Sequence, residues 1–446
     1  MTESGTLPPP VEFPAQPIDR LTRPIARFLH VEAASGAVLL AATVVAIVLA
    51  NSPFAATVNG FWHTELGFSL GSVQLVHSLQ HWINDGLMVV FFFVIGLEVK
   101  REIVLGELRE LRRAALPIAA ALGGMLVPAG LYLALMAGRP GASGWGIPMA
   151  TDIAFVVGCM AVLGPRIPHG LRVLLLSLAI ADDIGAILVI AVGYTETIHL
   201  AALAWGGVGI ACVAGAARLG VRSFGVYVAL GVGVWLAFLA SGVHATIAGV
   251  ILGLMTPARP HLDETQFTRF LDRAQEVLHG DWSAEPHRAQ SVQRFRAATR
   301  EIVSPLEFLE TALHPYVGFL IMPIFALANA GVAIHLEAFR APVALAVGVG
   351  LVVGKPLGIL LVSFLAVRSG LAALPTGVSW SALAGGGALA GIGFTMALFI
   401  AGLALGDDTI QAAKVGVLAA SALAAALGVA MLLATLKAPR PPERGA

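Results

Sequence analysis

Long apolar stretches follow one another along this chain and leave it few ways to fold. AASGAVLLAATVVAIVLA, residues 33–50, holds no charge and only two hydroxyl groups in 18 positions. As a helix rising about 1.5 Å per residue it nearly spans the ~30 Å of a hydrocarbon core. It is apolar on every face, whereas a strand of a membrane barrel alternates apolar and polar residues. A helix also satisfies its own backbone in lipid, so the stretch reads as a transmembrane helix. Comparable stretches occur at 33–51, 79–99, 114–137, 145–164, 171–194, 200–217, 224–240, 242–256, 312–335, 342–366, 380–404 and 411–436. They predict an all-α integral membrane protein of about twelve transmembrane helices. Charged residues make up only 12% of the 446 positions, about half the share found in soluble domains. The 27 acids and 27 bases balance, so no nucleic acid is expected as a partner and the lipid bilayer is.

The basic residues sort by loop. Twenty-three of the 27 lie on one side of the predicted membrane, from Arg20, Arg23 and Arg27 through Arg109 and Arg172 to seven arginines between 259 and 300. Arg139, Arg340 and Lys414 lie on the other side, and Lys355 falls inside a span. Basic loops face the cytoplasm, which places both termini and the long polar loop there. An even number of spans demands the same arrangement. The expected order is a cytoplasmic tail at 1–32, spans one to eight over 33–256, a cytoplasmic polar linker over 257–311, spans nine to twelve over 312–437, and a cytoplasmic tail at 438–446. The Pro-rich start MTESGTLPPPVEFPAQPIDR lacks a charged region directly before a short apolar core, which argues against a cleaved signal peptide.

Within the linker, FTRFLDRAQEVL puts Phe267, Phe270, Leu271, Ala274, Val277 and Leu278 on one face of an amphipathic helix. Between the first two spans, TELGFSLGSVQLV sets Gly71-Ser72 between loosely alternating runs, an external hairpin through which two copies can pair as a homodimer. Cys159 and Cys212 stand singly in apolar spans, outside any metal-ligand spacing, and read as reduced structural residues.

Two spans carry helix breakers. The fourth reads GWGIPMATDIAFVVG, with Gly146 and Pro148 ahead of Asp152, and the eleventh reads AGGGALAGIGFTMALF, with glycines at 385, 386, 387, 391 and 393. Transporters built from inverted repeats place their ion site where such broken helices meet near the midplane. Spans four and eleven are the middle members of the triplets three to five and ten to twelve. The prediction is an inverted-repeat core in which these two broken helices cross.

A charge near the bilayer centre costs roughly 2.5–3.5 kcal/mol even on insertion scales, so each one is a functional candidate. Asp152, Asp182, Asp183 and Lys355 lie near the midpoints of spans four, five and ten. Adjacent residues of a helix point about 100° apart, so Asp182 and Asp183 take different partners. Lys355 is the cation available at that depth; one aspartate pairs with it while the other faces a cavity shared with Asp152. Three acids against one base leave negative charge for protons or a small hard cation. Carboxylates, the Thr151 hydroxyl and carbonyls freed by the broken helix are suitable ligands. Carboxylates that hold either a cation or protons, exposed alternately to the two sides, exchange the two species. An intramembrane aspartyl protease also pairs two aspartates, but a third aspartate and a midplane lysine fit it poorly and its GxGD context is missing. A passive cation channel needs a ring of filter groups, which single-copy charges do not supply.

Seven stretches carry a resemblance: WINDGLMVVFFFVIGLEVKRE, ATDIAF, LAIADDIGAI, SGVHATIAGV, FALANAGV, GKPLGI and GIGFTMALFIAGLALG. In this order they resemble the NhaA-type sodium/proton antiporters from about residue 30 to 437, the tails and the long loop aside. The resemblance implies an electrogenic exchanger in a bacterial inner membrane that exports Na+ or Li+, imports more protons than the sodium it moves, and needs no cofactor. It implies Asp183 and Asp152 as the sodium carboxylates, Asp182 as the partner of Lys355, and broken helices containing Thr151 and the 391–393 glycines crossing beside them. Either the Asp182/Lys355 pair or the sodium carboxylates carry the protons.

GLEVKRE matches the cytoplasmic funnel where NhaA-type proteins sense pH, which points to Glu98, Lys100, Arg101 and Glu102, with Glu310 before HPYV across the funnel. His244 matches a residue linked to the family's pH response, while Asp85 in WIND reads as a helix cap or a lining of the external path. The roughly fifty-residue insertion before Glu310 and the long N-terminal tail depart from the simpler family pattern. Both departures bear on regulation rather than on the ion site.

Overall fold

A computed structural model describes residues 32–70, 73–195, 198–221, 223–259 and 303–436. The amphipathic helix expected at 267–278, the Gly71-Ser72 turn and the two tails lie outside the described residues. In chain order the principal helices are α1 (Glu32–Ala50), α2 (Ala55–Trp62), α3 (Met88–Val104), α4 (Leu111–Met136), α5 (Ile153–Leu163), α6 (His169–Gly193), α7 (Leu200–Arg218), α8 (Phe224–Ser241) and α9 (Thr246–Met255). After the linker come α10 (Pro305–Tyr316), α11 (Met322–Asn329), α12 (Leu336–Arg340), α13 (Pro342–Val349), α14 (Lys355–Arg368), α15 (Trp380–Ala390), α16 (Phe394–Ala404) and α17 (Asp407–Thr435). Single π-helical turns join α10 to α11 and α13 to α14 into two longer spans.

Among the described residues, eight helices are long and apolar enough to cross a membrane, and ten when each of two bent pairs counts as one span. The expected twelve are not reached by that measure, and the shortfall has a local cause. Helix α3 has 17 residues because the chain before it, Trp82–Leu87, winds as a π-helix. Helix α9 has 10 residues, about 15 Å of rise, half the thickness of a hydrocarbon core. Between α1 and α2 the axis turns by 117°, so α2 does not continue the first span. Side chains such as Val162 and Val192, 81% and 83% exposed, form the apolar outer surface that a bilayer covers.

In lipid no hydrophobic force drives one helix onto another, so close backbone approach does. Gly123 of α4 and Gly358 of α14 face each other so closely that a Cβ on either would collide with the other's carbonyl oxygen. Gly249 and Gly253 of α9 seat in the same way on the Val89 and Phe93 carbonyls. Two strands, β1 (Glu65–Leu70) and β2 (Val73–Ser78), form an antiparallel hairpin from Glu65↔Ser78 to Leu70↔Val73. The Trp82 indole N–H donates to the Leu66 carbonyl at 2.8 Å and fastens the hairpin to the bundle. Cys159 is half-buried, Cys212 is exposed, and both are free thiols.

Candidate ion-binding site

Span four is broken where Gly146 and Pro148 stand. Its first part, Ala142–Met149, winds as a 3-10 helix, Ala150 is extended (φ −76°, ψ 146°), and Asp152 then opens α5 as its N-cap. Span eleven breaks between α15 and α16, which are bent by 48°. The two breaks are bonded to each other. The Asp152 N–H donates to the Ile392 carbonyl at 2.7 Å, and the Thr151 hydroxyl lies 3.1 Å from the Ala390 carbonyl. Gly391 lets the same break lie against the tenth span, where a Cβ would stand 2.5 Å from the Leu351 carbonyl oxygen.

Asp152 collects the free donors of two helix starts. One carboxylate oxygen accepts from the Phe155 N–H of α5 at 3.3 Å. The other accepts from the Thr395 N–H of α16 at 3.1 Å and from the Thr395 hydroxyl. The positive ends of two helix dipoles therefore converge on one acid. Lys355 serves the opposite sign: its ammonium donates to the Met149 carbonyl at the end of the 3-10 segment.

The adjacent aspartates of α6 have different surroundings. Lys355 Nζ lies 2.7 Å from Asp182 Oδ2, with neither side chain exposed, and the Thr151 hydroxyl donates to the same oxygen at 2.6 Å. Asp182 Oδ1 is buried with no hydrogen-bond partner among the described residues. Asp183 is 4% exposed, and no hydrogen bond or ion pair reaches it among the described residues. The charges it feels are those of Glu98, Asp182, Lys355 and Asp152, three acids and one base. Thr151, expected beside a cation, is thus turned to Asp182. Sequence reasoning missed Thr395, although it quoted GIGFTMALF. The available signal was a hydroxyl two residues after the glycine break at 393, where a helix start leaves N–H groups free to hold an acid.

The residues matched to a pH funnel divide. Arg101 forms an ion pair with Glu310, and His314 Nδ1 lies 3.6 Å from Glu98, so α3 and α10 are joined twice. Lys100 donates instead to the Leu254 carbonyl at 2.7 Å, and Glu102 accepts from the Ser177 hydroxyl at 3.1 Å and the Glu107 N–H at 3.0 Å. His244 stands apart from this group, donating through Nε2 to the Tyr194 carbonyl at 2.8 Å. The charge next to His244 is Asp85, which on a continuous helix is roughly 24 Å from Arg101. Asp85 itself caps no helix; it sits inside the π-helical turn with a carboxylate oxygen 3.1 Å from His81.

A cavity of about 1030 Å³ lies between α3, α8, α9 and α10, lined by Val89, Phe93, Tyr227, Trp235, Leu252 and Phe308 among others. It touches none of the aspartates, and its mainly hydrocarbon walls suit no hard cation. Asp152, Asp182 and Lys355 lie instead at the crossed breaks.

A family model described as Na+/H+ antiporter 1 matches residues 26–432. The chain is 58% identical to a Na+/H+ antiporter NhaA of Rhodopirellula baltica over 428 residues, 96% of this chain and 97% of that protein. Its identity to a Na+/H+ antiporter NhaA of Rhizobium meliloti is 56% over 428 residues, covering 96% and 98% of the two chains. With the NhaA 2 antiporter of Acidiphilium cryptum it shares 51% identity over 435 residues, 97% of each. A match this long takes in both broken spans together with Asp152, Asp182, Asp183 and Lys355, and the chain belongs to the Na+/H+ antiporter 1 family.

Proposed function

We propose that this sodium/proton antiporter works electrogenically, exporting Na+ or Li+ against a larger number of incoming protons, with Asp183 and Asp152 as the carboxylates that hold the cation. Asp183 is the observation that carries the reading: a carboxylate 4% exposed, with no donor among the described residues, beside a lysine already bound to Asp182. A bare buried charge is costly. A proton or a hard cation removes that cost, and oxygen ligands suit both. Because the two occupants compete for the same oxygens, loading one on one side and the other on the opposite side drives them in opposite directions. Protons travel on these carboxylates or on the Asp182/Lys355 pair. Lys355→Ala separates the two routes, since exchange retained without electrogenicity identifies the pair.

The bias of Lys and Arg supports cytoplasmic termini, and the family supports a bacterial inner membrane. The β1–β2 hairpin, outside every span, offers the edge for a homodimer. The linked charges Arg101, Glu310, Glu98 and His314 support a pH-responsive funnel, with Lys100 and Glu102 as its flanks and His244 as a separate group at the far end of α3. The test uses the purified chain in sealed vesicles with an internal pH dye. Na+ or Li+ added outside drives proton movement and K+ drives little, and an imposed membrane potential alters the rate. Sodium that moves no protons overturns the reading.

A further inference from the structure

We infer that the Thr395 hydroxyl is a cation ligand, holding Asp152 as a donor while the site is empty and turning its oxygen to the ion when the site fills. The inference rests on placing the cation at Asp152 and Asp183. Thr395 is fully buried at the first turn of α16, and both its N–H and its hydroxyl reach the same oxygen of Asp152. The amide can act only as a donor, but a hydroxyl is donor or acceptor according to a rotation about one bond. Oxygens that share a hard cation at about 2.4 Å stand close to hydrogen-bond distance from one another. An ion on that Asp152 oxygen therefore lies within reach of the Thr395 oxygen without any shift of backbone.

The frame around it is fixed. Phe155 of α5 and Phe394 of α16 meet edge to face with ring centroids 5.1 Å apart, and the Asp152 N–H is bonded to Ile392. The other hydroxyl of the crossing, Thr151, is held 2.6 Å from the anionic partner of Lys355. Turning it away would strip a donor from Asp182, whose second oxygen already has no partner among the described residues. Thr395 is the hydroxyl free to serve the cation.

The test compares Thr395→Val, Thr395→Ser and Thr395→Cys in the full chain, reading the half-saturating Na+ and the maximal rate in vesicles. It also reads the Na+-dependent rise in melting temperature in detergent, which needs no transport. Loss of one contact to a charged group predicts a roughly tenfold higher half-saturating Na+ for Thr395→Val, with the maximal rate less affected. Thr395→Ser restores the wild-type value. Thr395→Cys, close in size but offering a soft sulfur, behaves as the valine variant. Unchanged Na+ affinity in the valine variant, or in the cysteine variant should valine not fold, overturns the inference, as does an equal loss with serine. Asp183→Asn run alongside distinguishes the failures. If it is inactive, a normal Thr395→Val removes only the hydroxyl's role; if it still exchanges, the site itself is misplaced.

Discussion

Asp182 and Asp183 are neighbours in sequence with opposite surroundings, and substitutions at this pair separate their roles. Asp183→Asn removes an uncompensated buried charge, so the variant folds at least as stably as the wild type while proton movement on Na+ addition is abolished. Full exchange in reconstituted Asp183→Asn would sink the assignment. Lys355→Ala strands Asp182, which remains buried with only the Thr151 hydroxyl beside it. Breaking a buried pair by removing one partner costs about 3–5 kcal/mol, visible as a lower denaturation midpoint. The double variant Asp182→Asn with Lys355→Met recovers part of that loss, because neither charge is then left alone. The burial of these residues was legible from their place in the apolar runs, whereas the direction of the Thr151 hydroxyl was not. A hydroxyl's partner is set by its rotamer and by which helix lies opposite, and neither leaves a mark in a single chain.

At the scale of elements, small residues decide how closely helices meet. Gly358→Ala places a methyl group against the Gly123 carbonyl, and overpacking of this kind costs about 1–3 kcal/mol. Because Lys355 lies one turn earlier on α14, the variant also loses exchange activity. Gly130→Ala, on α4 with nothing within 4 Å of its added Cβ, is the matched control and leaves the melting temperature nearly unchanged. The hairpin has its own pH response. The rings of His77 and His81 stack with centroids 4.2 Å apart, and burial, then the neighbouring His81, holds His77 below the ordinary imidazole value of 6.5. The folded hairpin therefore disfavours the protonated ring. Its contribution to stability is complete above about 6.5 and is lost as the pH falls through the lowered value. Amide hydrogen exchange across β1 and β2 should quicken on acidification relative to the intrinsic rate, and a pH-independent protection factor would refute this.

For the whole molecule, the hairpin is the part that the bundle does not need for its ion site. Pairing of two copies through the hairpin predicts that deleting residues 65–78 lowers the mass in detergent by light scattering from two chains to one while Na+-driven proton movement persists; an unchanged mass refutes the pairing. Apolar length and helix breakers sufficed to identify a helical membrane protein whose spans four and eleven are interrupted. Those conclusions follow from quantities that add along a chain: apolar length, rise per residue and the position of helix breakers. In the stretch marked at 242–256 the helix α9 has 10 residues, because Gly242, Val243, His244 and Ala245 before it form a loop that reads as apolar in sequence. Which charge meets which partner was settled by the packing of the helices. Rotation of each helix about its axis and the choice of neighbour are set by packing, through contacts such as Gly123 on Gly358 and Gly391 on Leu351. That packing brought the starts of α5 and α16 to Asp152 and Lys355 to Asp182, leaving Asp183 without a partner among the described residues.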